Sequence, residues 1–147
     1  MTALEQTVVR PFRPEDSDAL IALWKECGLT VPWNDPYKDL VRKLSEAPQE
    51  ILIAEKDSIM AGAVMYGYDG HRGSVNYLCV APHFRQSGLG RLLMQHVEKR
   101  LTERGCPKIN ICVRKDNIAI SGFYAAQGYQ EDNVIVLGKR LTHDENI

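Results

Sequence analysis

A connection rich in glycine and arginine, between a predicted strand and a predicted helix, is the stretch of this chain best suited to bind a ligand. Residues 80–91 read VAPHFRQSGLGR, so that two glycines open the helix. The first N–H groups of a helix have no partner inside it, and the helix dipole adds about half a positive charge at that end. Gly88 and Gly90 allow a ligand to approach the backbone, and Arg85 and Arg91 can add charge-assisted bonds. The pattern predicts a cradle for an anion such as a diphosphate.

The glycine spacing of this loop differs from two common phosphate-binding loops. A P-loop ends in Gly-Lys-Ser/Thr, which is absent here. A dinucleotide-binding loop has the pattern G-x-G-x-x-G directly after the first strand, with an acidic residue about 20 positions later. This loop lies in mid-chain and has a different spacing. From the loop alone, a purely structural role for the two glycines in shaping the turn also remains open.

A second block further along the chain makes a family resemblance specific. Residues 117–129 read NIAISGFYAAQGY, which places a tyrosine seven positions after an asparagine and then a Gly-aromatic pair. Together with Arg-x-x-Gly-x-Gly after a strand that ends in Val-x-Pro, this block resembles the GNAT superfamily of N-acetyltransferases. Residues 32–36 (PWNDP) and 67–73 (GYDGHRG) are most similar to its small bacterial YpeA-type branch. The resemblance implies a single α/β (α+β) domain over residues 1–147. It also implies a mixed, mostly antiparallel central sheet, splayed fourth and fifth strands, and helices on both faces.

The same resemblance implies how acetyl-CoA, the co-substrate, is held. A strand end pairs with the pantetheine arm through its backbone, main-chain N–H groups of the loop hold the pyrophosphate, and an asparagine at a helix start bonds the arm. The residues concerned are, in that order, Leu78, Cys79 and Val80; Gln86, Ser87, Gly88, Leu89, Gly90 and Arg91; and Asn117.

Tyr124 is the catalytic acid that the resemblance implies, because it matches the tyrosine that protonates the departing CoA thiolate. A phenol of pKa ~10 gives its proton to a thiolate whose acid has pKa ~8.5 only through local tuning or concerted transfer. The alternative for Tyr124 is a half-buried helix aromatic whose hydroxyl is already hydrogen-bonded.

The general base is not assigned by the sequence. Similar enzymes that acetylate protein N-termini carry a glutamate in the strand before the asparagine block, where this chain has Cys112. Asp69 and His71 can act through water, but both lie in a predicted turn and are expected to shape the hairpin. Asn76 and Tyr77, on the return strand, can orient a water molecule without being the base.

The predicted reaction is direct transfer of an acetyl group to a primary amine in a ternary complex, because no cysteine is placed as an acyl-carrying nucleophile. A main-chain N–H near Val80 is expected to hold the oxyanion of the tetrahedral intermediate. The acceptor is a small-molecule or peptide amine, and Trp33 either walls its pocket or plugs its own loop. The alternatives are a non-catalytic acyl-CoA-binding sensor module, a protein N-terminal acetyltransferase, which Cys112 disfavours, and an interaction domain with a purely structural glycine loop.

Composition argues against several other classes of partner. The chain has 147 residues, with 18 Lys+Arg against 19 Asp+Glu and a net charge of −1. That balance disfavours nucleic acid and membrane surfaces, which usually require a basic excess. We find no run near the ~20 apolar residues of a membrane helix and no signal-peptide pattern, so a cytoplasmic location is predicted. Four cysteines without a C-x-x-C pair indicate free thiols and no metal site, while homodimer formation is left open.

Hydrophobic spacing predicts the elements that position these residues. Strands are expected at 7–12, 51–54, 59–68, 74–80, 109–113 and 134–137, and helices at 19–27, 40–44, 88–104 and 118–127. In the strand at 74–80, alternation places Val75, Tyr77 and Cys79 on one face and Asn76, Leu78 and Val80 on the other. The acidic end, residues 144–145, is expected to be a frayed tail.

Overall fold

The computed structural model describes residues 6–144, which form a five-stranded sheet in the order β1-β2-β3-β4-β5. The strands are β1 (Thr7–Pro11), β2 (Ile51–Lys56), β3 (Ile59–Tyr68), β4 (Gly73–Val80) and β5 (Ile109–Asn110). The helices are α1 (Ser17–Glu26), α2 (Pro36–Glu46), α3 (Leu89–Glu103) and α4 (Ile118–Ala125). The first four strands pair antiparallel, and β5 lies parallel to β4. The predicted mixed, mostly antiparallel sheet is therefore confirmed.

Side-chain alternation along β2 divides the core into two layers. Leu52 and Ala54 belong to the layer under α3, which we call the α3 layer, and Ile51 and Ile53 belong to the α1/α2 layer on the opposite face. Residues of α3 fill the first layer at helical spacing, and residues of α1 and α2 fill the second. They are Leu89, Leu93, Met94, Val97 and Leu101 in the α3 layer, and Leu20, Ile21, Leu23, Trp24 and Leu40 in the other. The predicted placement of helices on both faces is confirmed.

The strands β4 and β5 diverge after a very short contact. They pair only at Gly73–Ile109 and Ser74–Asn110. Beyond Ser74, no strand of the described part of the chain pairs with this edge of β4. The predicted splay of the fourth and fifth strands is thus present, and it leaves backbone groups of β4 available to a ligand that adds to the sheet edge.

Two segments predicted as strands form no ladder within residues 6–144. These are residues 111–113, at the end of the predicted strand 109–113, and the predicted last strand at 134–137. The side chains of the latter are between 73% and 86% exposed. Apolar, β-branched residues favour a strand only where a neighbouring backbone pairs with them. Pairing of β5 ends at Asn110, so neither segment gains such a partner.

Helix α2 begins earlier than predicted because the residues read as a turn also start it. The Asp35 carboxylate accepts hydrogen bonds from the N–H groups of Tyr37 and Lys38 at 2.9 and 3.4 Å. Pro36 occupies the first helical position, where its missing N–H costs nothing. An N-cap of this kind typically stabilises a helix by about 1 kcal/mol.

Asp144 is buried, so the frayed tail predicted for it is wrong; Glu145 lies outside the described residues. The Asp144 carboxylate accepts hydrogen bonds from the Arg42 guanidinium at 2.7 and 3.2 Å and from the Asp35 N–H at 3.1 Å. Arg42, and after it the Asp35 N–H, lowers the pKa of Asp144 to about 2. The long-range contact, not local sequence, anchors this end of the chain to α2.

Asp144→Asn is expected to lower the Tm by about 2–5 °C at pH 7, because the asparagine keeps the shape but loses the charge that Arg42 binds. A carboxyl whose pKa is lowered on folding stabilises the protein above its unfolded pKa of ~3.9, and this contribution is lost as pH falls toward 2. Thermal melts from pH 7 to pH 2 should therefore show a constant difference above pH ~5 that narrows below pH ~4. Asp132→Asn, which removes an exposed ion pair with Lys108, is the control and should shift the Tm little. A difference that does not change with pH contradicts the assignment.

Candidate active site

The loop between β4 and α3 presents a run of unpaired backbone N–H groups. Among the residues described, the N–H groups of positions 86–91 donate to no backbone carbonyl, and the first such bond runs from Leu92 N to Gly88 O at 3.0 Å. Gln86 and Gly88 have positive φ angles of 61° and 84°. Left-handed residues within a turn direct successive N–H groups into a shared concavity that attracts anions. The loop geometry therefore fits a diphosphate.

The end of β4 adds a free donor beside this loop. Ala81 N donates to Ala61 O at 2.8 Å, and hydrogen-bonded and non-bonded pairs alternate along an antiparallel ladder. The Val80 N–H and C=O therefore point away from β3, toward the open edge. The carbonyl is occupied, because it accepts from Arg85 Nε at 3.1 Å and from Cys27 Sγ at 3.4 Å. The Val80 N–H remains for a ligand, whereas Arg85 folds back on the strand and is less available to an anion.

Tyr124 is buried in the α3 layer and its hydroxyl is not hydrogen-bonded. The side chain is 7% exposed and packs edge-on against Phe123 and Tyr129, with ring centroids 5.1 and 5.5 Å apart. The Tyr129 hydroxyl donates to Glu98 Oε2 at 2.6 Å, but that of Tyr124 meets no acceptor among the described residues. Burial raises the pKa of Tyr124 to about 12. The phenol is therefore protonated at neutral pH and has a proton to donate.

Gly90 brings α3, α4 and β4 into contact. A Cβ at this position would lie 3.1 Å from Phe123 Cζ and 3.7 Å from Val80 Cγ2. The expectation that the missing Cβ of Gly90 serves ligand approach is wrong, since the aromatic ring of Phe123 fills that space. Gly90 instead allows α3 to pack on α4, the helix that carries Tyr124. We call residues 86–91, where α3 starts, the anion loop.

Gly90→Ala is expected to destabilise the protein by about 1 kcal/mol, because the added methyl must displace the Phe123 ring. Gly122→Ala is the matched control: it lies in α4 with nothing within 4 Å of its Cβ position, so alanine should stabilise the helix by up to about 1 kcal/mol. Urea unfolding of both variants measures the difference. Equal effects of the two substitutions would show that the Phe123 contact does not matter.

The remaining predicted binding residues divide into two groups. Leu78, Val80 and Leu89 belong to or pack on the α3 layer that contains Tyr124, so the structure brings them together. Asn117 is exposed and is not part of that apolar layer, and its Oδ1 accepts from Ile120 N at 3.2 Å as the N-cap of α4. Its amide nitrogen is left to bind a ligand. The Cys79 side chain is buried in the α1/α2 layer, and its backbone N–H and C=O point toward Ala63 of β3, because Cys79 and Val80 alternate along the ladder.

A β-bulge in β4 overturns the predicted alternation of that strand. Met65 pairs with Asn76 but Ala63 pairs with Cys79, so Tyr77 and Leu78 together oppose one residue of β3. Val75 consequently faces the α3 layer, while Tyr77 and Cys79 face the α1/α2 layer. An extra residue in one strand reverses the faces of all that follow. Tyr77 has a positive φ of 53°, which nothing in the residue type signals.

The other candidates weighed for chemistry take structural positions. Asp69 accepts bonds from the N–H groups of His71 and Arg72 at 2.7 and 2.8 Å, as expected for a residue that shapes the hairpin. These bonds lower the pKa of Asp69. Trp33 is 47% exposed in the turn between the bridged residues Val31 and Asn34, so it does not plug its loop.

Residues 6–144 contain four free cysteines. Within the same range, no group of three His, Cys, Asp or Glu side chains is placed to hold a metal ion. No helix of this part of the chain is both long and apolar enough to cross a membrane.

An α/β fold with splayed strands, a glycine-containing N–H loop and a buried tyrosine is the arrangement of an acyltransferase domain. The chain belongs to the Acetyltransferase (GNAT) family, whose family model matches residues 15–129. A relative from Pectobacterium atrosepticum named acetyltransferase is 48% identical over 136 residues, which cover 92% of this chain and 96% of the relative. The protein is accordingly an N-acetyltransferase, and the predicted superfamily is confirmed; the narrower YpeA-type resemblance stays a prediction.

Two solved structures show the same fold. The ribosomal-protein-S18-alanine N-acetyltransferase from Escherichia coli has a TM-score of 0.75 at 20% identity, covering 86% of this chain and 79% of that one. The enzyme AAC(6')-Iy, solved with the bisubstrate analogue CoA-S-monomethyl-acetylneamine, has a TM-score of 0.73 at 20% identity, covering 91% and 98%. Identities this low establish the fold alone.

Proposed function

We propose that this protein transfers the acetyl group of acetyl-CoA to the primary amine of a small molecule or peptide, by direct attack in a ternary complex. The observation that carries the proposal is the convergence of three features: the unpaired N–H groups of residues 86–91, the open edge of β4, and the free hydroxyl of buried Tyr124. The two solved structures support it, since one is an alanine N-acetyltransferase and the other holds a CoA-linked acetylneamine.

The residues of the loop and the strand edge supply the binding. The N–H groups of Gln86 to Arg91 hold the diphosphate at the positive end of α3. The backbone of Leu78 to Val80 pairs with the amide-containing arm as an added strand does. Asn117 can donate its amide nitrogen to the arm because its oxygen already caps α4.

Two groups act on the thioester itself. The Val80 N–H donates to the carbonyl oxygen as negative charge develops there, which is the usual largest contribution in acyl transfer. Tyr124 donates its proton to the departing sulfur. The raised pKa of Tyr124 alone makes this transfer harder, but the sulfur lies in the same poorly solvated region, where burial raises the pKa of a thiol as well. Burial therefore raises the pKa of the proton donor and that of the proton acceptor in the same direction.

Calorimetry with CoA and a free-thiol assay test the proposal. The assay combines the protein and acetyl-CoA with a polyamine, an aminoglycoside, an amino-acid amide or an alanine-terminated peptide, and a reaction without amine corrects for hydrolysis. We expect CoA to bind and at least one amine to accelerate thiol release. Binding without amine-dependent release identifies a sensor module instead, and no binding at millimolar CoA identifies an interaction domain.

A further inference from the structure

A partly buried tyrosine–aspartate pair lies on the opposite face of the sheet from Tyr124. The Tyr77 hydroxyl donates to Asp39 Oδ2 at 2.7 Å and accepts from Asn34 Nδ2 at 3.2 Å. Asp39 belongs to α2, and Asn34 to the connection between α1 and α2. Three separate segments thus meet at one phenol oxygen, which takes no part in the binding and thiolate protonation proposed above.

The Tyr77 ring is held in one orientation. It stacks on Trp24 with centroids 3.9 Å apart and an angle of 14° between the planes. Trp24 is fully buried, and its Nε1 is the one buried side-chain nitrogen or oxygen without a partner in the described part of the chain. A non-glycine residue with positive φ costs roughly 1–2 kcal/mol, and such strain persists mainly where the surrounding structure requires it, often at functional sites.

The position of Tyr77 relates it directly to the proposed acetyl site. It precedes Leu78 and Val80 in β4, but the bulge turns its side chain into the α1/α2 layer while theirs pack on the α3 layer with Tyr124. The strands β4 and β5 have already parted at this point, so the sheet is open between the two faces. An amine that reached this opening from the α1/α2 side would therefore be on the same face of the sheet as the Tyr77 side chain.

Space for an acceptor exists on the same side. A cleft of about 480 Å³ is lined by Val31, Pro32, Asn34 and Tyr37, among others. Asn34 therefore belongs both to the wall of this cleft and to the hydrogen-bond partners of Tyr77. The cleft and the tyrosine–aspartate pair are thus neighbours through the Asn34 side chain.

We infer that Tyr77 and Asp39 take the proton that the acceptor amine loses when it attacks, an inference that rests on the proposed function. As the C–N bond forms, the nitrogen becomes positively charged and acidic, and one N–H bond breaks. The phenol oxygen of Tyr77 receives that proton and passes its own to Asp39 Oδ2. The C–S bond breaks with its electron pair on sulfur, which takes the proton of Tyr124. Asp39 then releases its proton to solvent and Tyr124 regains one, so the enzyme returns unchanged.

The chemistry requires both residues. Burial, and then the bond to Asp39, raises the pKa of Tyr77, so the phenol is protonated at neutral pH and cannot act as an ionised base. It relays a proton only because Asp39 accepts one. Tyr77 is thus the catalytic residue, and Asp39 is a positioning residue that acts through it.

The charged and titratable groups around the pair come from every segment that packs there. Arg42 of α2 lies 3.8 Å from Asp39 Oδ1, and Arg140 of the C-terminal segment donates to Asn34 Oδ1 at 3.3 Å. Cys27, directly after α1, and Cys79 of β4 are thiols of the same layer. The bond to Asp144 raises the pKa of Arg42, which therefore keeps its charge over the working pH range.

Tyr77→Phe and Asp39→Asn test the inference with the amine that gives the fastest thiol release. Phenylalanine keeps the stack on Trp24, and asparagine still accepts the Tyr77 bond but cannot take its proton. Both variants are expected to lower kcat about 100-fold or more at pH 7, with the acetyl-CoA Kd unchanged within about twofold. The deficit should shrink above pH ~9, where hydroxide replaces the lost base. Tyr68→Phe, whose hydroxyl bonds backbone carbonyls at the far end of β3, is the control.

Each outcome separates this inference from the proposed function. An active wild type whose variants are equally active, or equally impaired at every pH, overturns the relay and leaves acetyl transfer standing. A wild type without amine-dependent thiol release overturns both. If thermal melts show that Tyr77→Phe does not fold, Asp39→Asn alone decides the result, since it changes one atom at the edge of the pair.

Discussion

Tyr124→Phe is expected to lower kcat about 10- to 1000-fold and to leave the Kd of CoA nearly unchanged, which is the usual range for loss of a general acid. The substitution removes one oxygen that forms no hydrogen bond with the described residues, so the fold loses little. The departing thiolate, however, loses its proton donor inside a poorly solvated layer. Steady-state thiol release and calorimetry with CoA give the two quantities separately.

Tyr129→Phe provides the control from the same aromatic cluster. It removes a hydroxyl that donates to Glu98, so it should lower the Tm while kcat stays within about threefold. An unaltered kcat in Tyr124→Phe removes Tyr124 from the mechanism. An equal loss of kcat in both variants shows that the cluster acts through packing alone.

Gln86→Glu is expected to weaken CoA binding about 10- to 100-fold, because it places a negative charge beside the N–H groups that we propose hold the diphosphate. Two or more like charges a few ångströms apart repel by about 1–3 kcal/mol at the effective dielectric constant of a protein surface. The backbone N–H groups and the positive φ of position 86 are unaffected by the change. Calorimetry at low and high salt measures the effect, which should decrease as salt rises.

Gln95→Glu is the matched control for charge. Gln95 is exposed in the middle of α3, the helix that follows the loop, and its substitution changes the net charge equally. We expect its CoA Kd to remain within about twofold of the wild type. Equal weakening by the two variants reveals a general charge effect, and no weakening by Gln86→Glu places the diphosphate elsewhere.

Features that depend on neighbouring residues alone could be predicted from the chain. The spans of β3 and of the long helix α3 agree with their predicted positions to within a residue. Gly88 and Gly128 have positive φ angles of 84° and 91° at the predicted helix start and helix end. These features follow from local backbone chemistry, because a turn, a cap or an amphipathic face is fixed over a few consecutive residues. The anion loop belongs to the same group.

Features that depend on distant residues could not be predicted. Asp144 is buried by Arg42, 102 positions away, and Tyr77 bonds Asp39 and Asn34, 38 and 43 positions away. No local sequence pattern predicts the bulge that turns Tyr77 toward Asp39 and Asn34, because side-chain alternation assumes an unbroken ladder. The apolar run at 134–137 has strand composition but no paired backbone. The amino-acid order therefore specifies the glycine-containing loop and the family, whereas the packing of remote segments creates the hydrogen-bonded pair of Tyr77 and Asp39.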